Sequence, residues 1–166
     1  MVIYLHGDPG GATAPNNTKF FDQAAYRVVF WNQRGVGKSR PRNKLKRNTT
    51  QHLSDDIKSL REHLYISKWH VVFGGSWGST LGLFYTQAYP EHMGSLVVCR
   101  VLTARMSELL CRDGQPVAAK FFPEEWAELL ALLCDDERED PMRAYYTRIT
   151  SDDAEVSAAA AQQWNK

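Results

Sequence analysis

The segment at residues 74–78 has residue types and a spacing that could do chemistry. An apolar, β-branched run stops there, a helix-like stretch follows, and the segment reads Gly74-Gly75-Ser76-Trp77-Gly78. Gly-x-Ser-x-Gly between a strand and a helix is typical of a serine that attacks acyl groups. The glycines are needed because such a serine lies at a sharp, strained turn that crowds its neighbours. We therefore predict Ser76 as a nucleophile, with the following helix N-terminus favouring negative charge that develops beside it.

A second glycine-rich turn, at residues 6–12, follows the first predicted strand. Taken alone, it would more often be an ordinary Gly/Pro loop. Beside a serine turn of this kind, however, such a loop supplies one oxyanion donor and the residue after the serine supplies the other. We assign the two donors to the backbone N–H groups of Asp8 and Trp77. We also expect Gly7 and Gly75 to contact the substrate.

The loop after the second predicted strand contains part of a phosphate-binding motif. Residues 35–39 contain Gly-x-Gly-Lys-Ser, but the first glycine of Gly-x-x-x-x-Gly-Lys-Ser is missing. Nucleotide binding is the weaker alternative, and we interpret the segment as a tight loop that Arg34 ties to neighbouring loops. The basic run at residues 38–47 lacks interleaved aromatic residues, so a solvent-exposed loop is favoured over a nucleic-acid surface.

Composition and charge favour an ordinary globular protein. The chain has 166 residues, of which 43% are hydrophobic, and a net charge of +1, which gives no attraction to nucleic acid or membranes. No apolar run approaches the roughly 20 residues that span a bilayer. The three cysteines have no metal-binding spacing, and we expect reduced, mostly buried thiols and a cytoplasmic location. Neither a metal nor a cofactor is predicted.

Strands alternate with helices in the first part of the chain. Hydrophobic periodicity predicts strands at residues 2–6, 27–31, 70–73 and 95–101, and helices at 53–64 and 77–89. This alternation predicts an α/β fold with a parallel, doubly wound sheet of about four strands.

The pattern changes after about residue 103, where only helices are predicted. They cover residues 106–111, 123–134, 141–149 and 153–164, with Pro123 and Pro141 in first turns and Asp152 as an N-cap. We therefore divide the chain into a sheet domain at residues 1–102 and a helical subdomain at residues 103–166.

Four motifs occur in an order that is more specific than the serine turn alone. They are His6-Gly7-Asp8-Pro9-Gly10-Gly11, Asn32-Gln33-Arg34-Gly35-x-Gly37-x-Ser39, Asn48-Thr49-Thr50 and Gly74-Gly75-Ser76-Trp77-Gly78-Ser79. Together they resemble the proline iminopeptidases, an α/β-hydrolase family that releases N-terminal proline from peptides, and the likeness extends to residues 122–126 and 150–153. Two positions depart from the family pattern, which usually has glycine at position 8 and aspartate at position 32.

The resemblance implies both a fold and an activity. It implies an α/β-hydrolase core at residues 1–102, followed by part of a helical cap subdomain at residues 103–166. The substrate would be a peptide with an N-terminal proline, which acylates Ser76 while Trp77 and Asp8 stabilise the oxyanion. No cofactor, nucleic acid or membrane is implied.

A serine nucleophile also needs a base and a carboxylate, which follow it in α/β-hydrolases. His92 is the one histidine after Ser76, and a helix of about 12 residues would carry it roughly 18 Å away. The resemblance implies that the family's Asp and His lie beyond this length. We therefore expect a chain truncated at both ends, impaired alone, with exposed sheet edges that promote self-association. The alternatives are another acyl hydrolase, such as an esterase, or a non-catalytic remnant that binds a partner.

Overall fold

The polypeptide forms two units, Met1–Arg105 and Met106–Lys166. The structure, a computed structural model, describes residues 1–7, 9–103, 105 and 116–165. Asp8, Cys111 and the helix predicted at residues 106–111 lie outside the described residues.

Four parallel strands form the sheet of the first unit. They are β1 (Val2–Leu5), β2 (Val28–Trp31), β3 (Trp69–Gly75) and β4 (Met93–Cys99), in the order β2-β1-β3-β4. The predicted parallel sheet is confirmed, and the predicted strand ends differ by one or two residues. Because all strands run the same way, the loops that follow β1, β2 and β3 meet at one edge of the sheet.

The two faces of the sheet are covered by different elements. On one face, Ile3 and Leu5 pack in a core with residues of helices α1 (Thr50–His63) and α2 (Trp77–Ala88). On the other face, the ring of Tyr4 lies within 5.4–6.3 Å of the rings of Phe20, Phe21, Phe30 and Phe73. Every residue of β1 is buried, as expected for a central strand of a parallel sheet.

Helix α1 begins where the sequence provides a cap. The Thr49 side chain accepts a hydrogen bond from the His52 backbone N–H at 3.4 Å. Leu53 and Ile57 are buried, as their helical spacing predicts, whereas Leu64 is 40% exposed because the helix ends at His63. The apolar spacing therefore identified the buried face, but it placed the start of the helix three residues too late and its end one residue too late.

The second unit is helical in its described part. Its helices are α3 (Val117–Phe121), α4 (Pro123–Leu130), α5 (Pro141–Ile149) and α6 (Ala154–Trp164), and its core contains Leu133, Ala144, Tyr145 and Ala160. Pro123 and Pro141 lie in first turns, as predicted. The N-cap predicted at Asp152 is wrong, because Asp153 has the extended backbone of a cap and accepts from the Glu155 and Val156 N–H groups at 2.9 and 3.2 Å.

Two further predictions need correction. Helix α4 ends at Leu130 rather than at residue 134, and the Arg138 side chain donates to the Leu130 carbonyl oxygen at 3.2 Å. The cysteines in the described ranges, Cys99 and Cys134, are free and exposed rather than buried. Cys99 is exposed because it ends an edge strand, and Cys134 because it lies in the turn after α4. Across the described ranges, every helix is too short or too polar to span a bilayer.

Candidate active site

Ser76 lies between β3 and α2 in a strained backbone conformation. Its φ of 53° and ψ of −123° are unusual for a residue with a side chain. The turn is held from both sides: the Ser76 N–H donates to the Cys99 carbonyl oxygen at 3.1 Å, and its carbonyl oxygen accepts from the Ser79 N–H at 2.8 Å and from Ser79 Oγ at 2.6 Å. These bonds stabilise the turn and thereby offset its strain.

The neighbouring glycines allow backbone segments to approach one another closely. A Cβ on Gly74 would lie 2.1 Å from the Gly78 carbonyl oxygen, and one on Gly78 would lie 2.1 Å from the Leu5 carbonyl oxygen. Both distances are far below van der Waals contact, and both involve backbone atoms that cannot rotate away. The first turn of α2 is therefore pressed against the ends of β1 and β3 because no side chains intervene.

Gly7 brings the turn after β1 directly to Ser76. A Cβ on Gly7 would lie 3.0 Å from the Gly75 carbonyl oxygen and 3.1 Å from Ser76 Cβ, and one on Gly75 would lie 3.1 Å from Cys99 Sγ. The structure thus brings together Gly7, Gly75, Ser76 and Trp77 from the predicted site. Asp8, the predicted second oxyanion donor, lies outside the described residues.

Gln33 connects three segments around the serine and was not singled out by sequence reasoning. Its Nε2 donates to the His6 carbonyl oxygen at 3.1 Å, and its Oε1 accepts from the Trp77 indole N–H at 3.1 Å. Its backbone N–H donates to His6 Nε2 at 3.2 Å. Gln33 is 3% exposed, so these bonds are made away from water. The motif around it was visible in the sequence, but nothing there showed which side chain points inward.

Asn32 is an uncharged residue at a position where the resembled family usually has aspartate, and its side chain accepts two hydrogen bonds. Its Oδ1 accepts from the Thr13 backbone N–H at 2.9 Å and from Thr13 Oγ1 at 3.0 Å. Its carbonyl oxygen accepts from Ser39 Oγ at 2.6 Å. Both side-chain bonds use an acceptor oxygen, which an amide and a carboxylate share. The substitution therefore retains these contacts without the charge.

Leu102, which follows β4, is hydrogen-bonded to the first turn of α2. Ser79 Oγ accepts from the Leu102 N–H at 3.0 Å, and Thr80 Oγ1 donates to the Leu102 carbonyl oxygen at 2.5 Å. Because Ser79 also donates to Ser76, a chain of hydrogen bonds runs from Leu102 to the serine turn. Ser79 thus supports the position of Ser76 directly, and Thr80 helps to hold Leu102 in place.

The chain is similar to known proteins in sequence and in fold. A family model described as the alpha/beta hydrolase fold matches residues 1–148. The chain belongs to the α/β-hydrolase family. It is 46% identical to a proline iminopeptidase of Arabidopsis thaliana over 99% of this chain and 43% of that protein. It is 43% identical to a probable proline iminopeptidase of Leptolyngbya boryana over 99% of this chain and 50% of that protein. The resemblance to this peptidase family is thereby confirmed, and the chain spans about half the length of the curated relatives it matches.

Solved structures support the assignment of the fold. The crystal structure of VinJ is 27% identical and aligns with a TM-score of 0.53 over 99% of this chain and 59% of that one. An alpha/beta fold family hydrolase from Bacillus anthracis is 19% identical and aligns with a TM-score of 0.55 over 96% of this chain and 59% of that one. At that lower identity the likeness concerns the fold alone.

The first backbone N–H of α2 directly follows Ser76 in the chain. Trp77 is the first residue of α2, so its backbone N–H has no partner within the helix. This N–H lies beside Ser76, at the positive end of the helix dipole. An oxyanion formed on an acyl group at Ser76 would thus meet an N–H that the helix itself leaves open. An oxyanion-hole donor of this kind contributes about 2.7–4 kcal/mol to transition-state stabilisation.

The histidines of the first unit lie in the core, on helix α1, near the start of β3 or after helix α2. His6 is 2% exposed, with Nδ1 2.8 Å from the Gly7 carbonyl oxygen and Nε2 accepting from Gln33, which favours the Nδ1–H tautomer. His92 follows α2 and stacks on Tyr89 with ring centroids 5.3 Å apart. His70 is the second residue of β3, near the end opposite Ser76, while His52 and His63 lie on α1. His92 thus lies at the far end of α2, as predicted.

Two buried tyrosines of the first unit have raised pKa values. Burial raises the pKa of the Tyr4 phenol, with a further contribution from nearby Cys99. Burial also raises the pKa of Tyr85, to about 12, in the core beneath α2. Within the described ranges, no three His, Cys, Asp or Glu side chains come together in a way that could hold a metal ion.

Proposed function

We propose that this chain carries the nucleophile of a serine peptidase of the proline iminopeptidase type. Ser76 Oγ would attack the carbonyl carbon of an N-terminal proline, and the C–N bond to the next residue would break. The serine proton would pass to a base and then to the leaving amine, after which water would hydrolyse the prolyl ester. The observation that carries the proposal is the strained turn of Ser76, packed against Gly7 and Gly75.

We assign three roles around this nucleophile. The backbone N–H groups of Trp77 and Asp8 would bind the oxyanion, and Gly7 and Gly75 would leave room for the prolyl group. Gln33 would act as a positioning residue, because its amide joins the Trp77 indole to the carbonyl oxygen of His6. The sheet domain at residues 1–102 would supply this machinery, and residues 103–166 would belong to a helical cap subdomain.

The 166-residue chain tested alone is expected to be a poor enzyme. The positions of its histidines support this, because four of the five lie on α1, at the start of β3 or after α2, and His6 uses both ring nitrogens in contacts with backbone groups. A nucleophile without its triad partners retains only about 10³–10⁴-fold catalysis over water, which comes from the oxyanion hole and binding.

The free thiols of Cys99 and Cys134 support a reducing, cytoplasmic location.

The edges of the sheet support self-association. Among the described strands, β2 and β4 each pair on one side only, and Val97 of β4 is 42% exposed. A strand with an unpaired edge and apolar side chains readily pairs with a strand of another molecule. We expect the apparent mass in size-exclusion chromatography to rise with protein concentration. A constant monomer mass up to high concentration would contradict self-association.

The activity is tested by comparing three substrates on the chain and on Ser76→Ala. We expect slow release of the fluorophore from a proline arylamide, slower release from an alanine arylamide, and loss of both with Ser76→Ala. Rapid, Ser76-dependent turnover would contradict the expected impairment. Turnover of a butyryl ester without any prolyl-amide activity would favour the esterase alternative. Equal rates for the chain and Ser76→Ala would contradict the assignment of the nucleophile.

A further inference from the structure

A cavity of about 500 Å³, widely open to solvent, lies between the loop after β2 and helix α1. Trp31, Pro41 and Leu60 provide apolar lining, and no residue of the serine turn at 74–78 borders it. Its volume falls within the range of small-ligand pockets, about 300–1,000 Å³. The cavity therefore has room for a small organic molecule, and it is separate from the proposed active site.

The loop that forms one wall is fixed by hydrogen bonds. Arg34 forms a bidentate ion pair with Asp56 on α1, with Nε–Oδ2 at 2.7 Å and Nη2–Oδ1 at 2.5 Å. The same guanidinium donates from Nη1 to the Arg47 carbonyl oxygen at 2.5 Å. The Asn43 N–H donates to the Gly35 carbonyl oxygen at 2.9 Å. The loop is thus attached to α1 at one end and folded back on itself, which defines the shape of the cavity.

The charge around the cavity is strongly positive. Arg34, Arg40, Lys44 and Lys46 line it, and among the described lining residues Asp56 is the only acid. That carboxylate is already neutralised by Arg34, as the Asp56 pair raises the pKa of the guanidinium, mainly through its hydrogen bond. Lys44 and Lys46 are exposed and form no ion pair with a residue that the structure describes. The Nη1 of Arg40 already donates to two backbone carbonyl oxygens of its own loop, at 3.2 and 3.3 Å, so among the described lining residues the two ammonium groups remain for a ligand.

We propose that this cavity binds a small phosphate ester whose organic group is apolar. Lysine ammonium groups act as point charges that suit a compact dianion such as phosphate. The indole of Trp31 and the side chain of Leu60 offer an apolar surface to the group that the phosphate carries. The incomplete Gly-x-Gly-Lys-Ser motif lies in the same loop, but here the side chains of Lys44 and Lys46, rather than a backbone cradle, hold the anion.

The proposal is tested by titrating phenyl phosphate, inorganic phosphate and benzoate into the ¹⁵N-labelled chain. We expect saturable shifts of the Trp31 indole N–H and of the amides of residues 35–47. Phenyl phosphate is expected to bind about tenfold more tightly than either inorganic phosphate, which lacks the ring, or benzoate, which carries a single charge. Lys44→Gln/Lys46→Gln is expected to weaken phenyl phosphate about tenfold. The matched control, Lys58→Gln/Lys68→Gln, removes the same net charge elsewhere on the first unit and is expected to change affinity less than about twofold.

Three results would overturn the proposal. The first is the absence of saturation by phenyl phosphate at about 10 mM, an affinity too weak for a built site. The second is an equal loss of affinity in the control variant, because general charge would then account for binding. The third is displacement of phenyl phosphate by a single-stranded oligonucleotide at a far lower concentration, which would make the surface a nucleic-acid site. If the double variant fails to fold, Lys44→Gln and Lys46→Gln are tested singly, each with an expected weakening of about threefold.

Discussion

The two units of the chain depend on different kinds of contact. In the first unit, the serine turn is set by backbone segments that approach too closely for any side chain, as at Gly74 and Gly78. In the second, a few buried side chains and an ion pair connect short helices, as with Tyr145 and the Glu137–Arg148 pair. Backbone contacts fix atoms more closely than side chains do, so the unit with the proposed chemistry should tolerate less change at its key positions.

The largest expected effect comes from adding one methyl group to α2 beside Ser76. Gly78→Ala places a Cβ 2.1 Å from the Leu5 carbonyl oxygen, and that backbone atom cannot move without breaking β1 from its neighbours. We expect destabilisation by more than about 4 kcal/mol and loss of cooperative urea unfolding in the first unit.

Gly82→Ala is the matched control for this change. It lies on the same helix, but its Cβ would meet Leu96 Cδ1 at 3.0 Å, a methyl group that can rotate away. We expect a change below about 1 kcal/mol, since alanine also favours the helix. Similar losses in the two variants would show that close backbone contact does not distinguish these positions.

The second expected effect concerns the core of the helical unit. Tyr145 is 1% exposed, its ring lies 5.3 Å from that of Trp164, and its hydroxyl donates to the Leu129 carbonyl oxygen at 2.7 Å. We expect Tyr145→Ala to cost about 3–5 kcal/mol, as for other large aromatic truncations. Tyr145→Phe removes only the hydrogen bond and should cost about 1 kcal/mol. Hydrogen exchange of the α4–α6 amides measures both, and a Phe variant as unstable as the Ala variant would contradict the account.

A smaller effect is expected from the amide that connects the loops around the serine. Gln33→Leu keeps the approximate volume but can neither accept from the Trp77 indole nor donate to the His6 carbonyl oxygen. We expect the rate of Ser76 labelling by a fluorophosphonate to fall about tenfold, equivalent to about 1.4 kcal/mol. Gln51→Leu removes an exposed amide bonded to Asp55 and serves as the control. Equal rates in the two variants would rule out a positioning role for Gln33.

The smallest effect is a dependence on pH in the second unit. Hydrogen bonds from Arg148 and from the Cys134 backbone N–H lower the pKa of Glu137 from 4.5 to about 2. Because the folded value lies below the unfolded one, the stabilisation is complete above about pH 4.5 and is lost as the pH falls toward 2. Glu137→Gln should therefore flatten the decline in thermal stability between pH 5 and pH 2. Glu139→Gln is the control, and an identical pH profile for the two variants would contradict this assignment.

The sequence predicted the parts of the molecule that follow from local pattern. Alternating apolar strands and amphipathic helices indicated the parallel sheet, and Gly-x-Ser-x-Gly after β3 indicated the turn at Ser76. The order β2-β1-β3-β4 was not predicted, because pairing depends on contacts between distant residues. The bonds of Gln33 were missed for the same reason, since His6 and Trp77 lie 27 and 44 positions away.

Errors arose where neighbouring residues have equal local preferences. Asp152 and Asp153 are both suitable N-caps, and only the observed backbone geometry assigns the role to Asp153.

Exposure of Cys99 depends on the edge position of β4, which composition does not reveal. The expected role of Asp8 as an oxyanion donor stays a prediction.

The reactivity of Ser76 tests the central claim most directly. The 166-residue chain would be incubated with a fluorophosphonate, and the labelled serine would be identified by mass spectrometry of peptides. We predict one phosphonyl group per chain, on Ser76, and no labelling of Ser76→Ala, even if reaction is slow without a base. Labelling of other serines at the same rate, or no labelling of a chain whose sheet is intact, would contradict the claim that this turn activates a nucleophile.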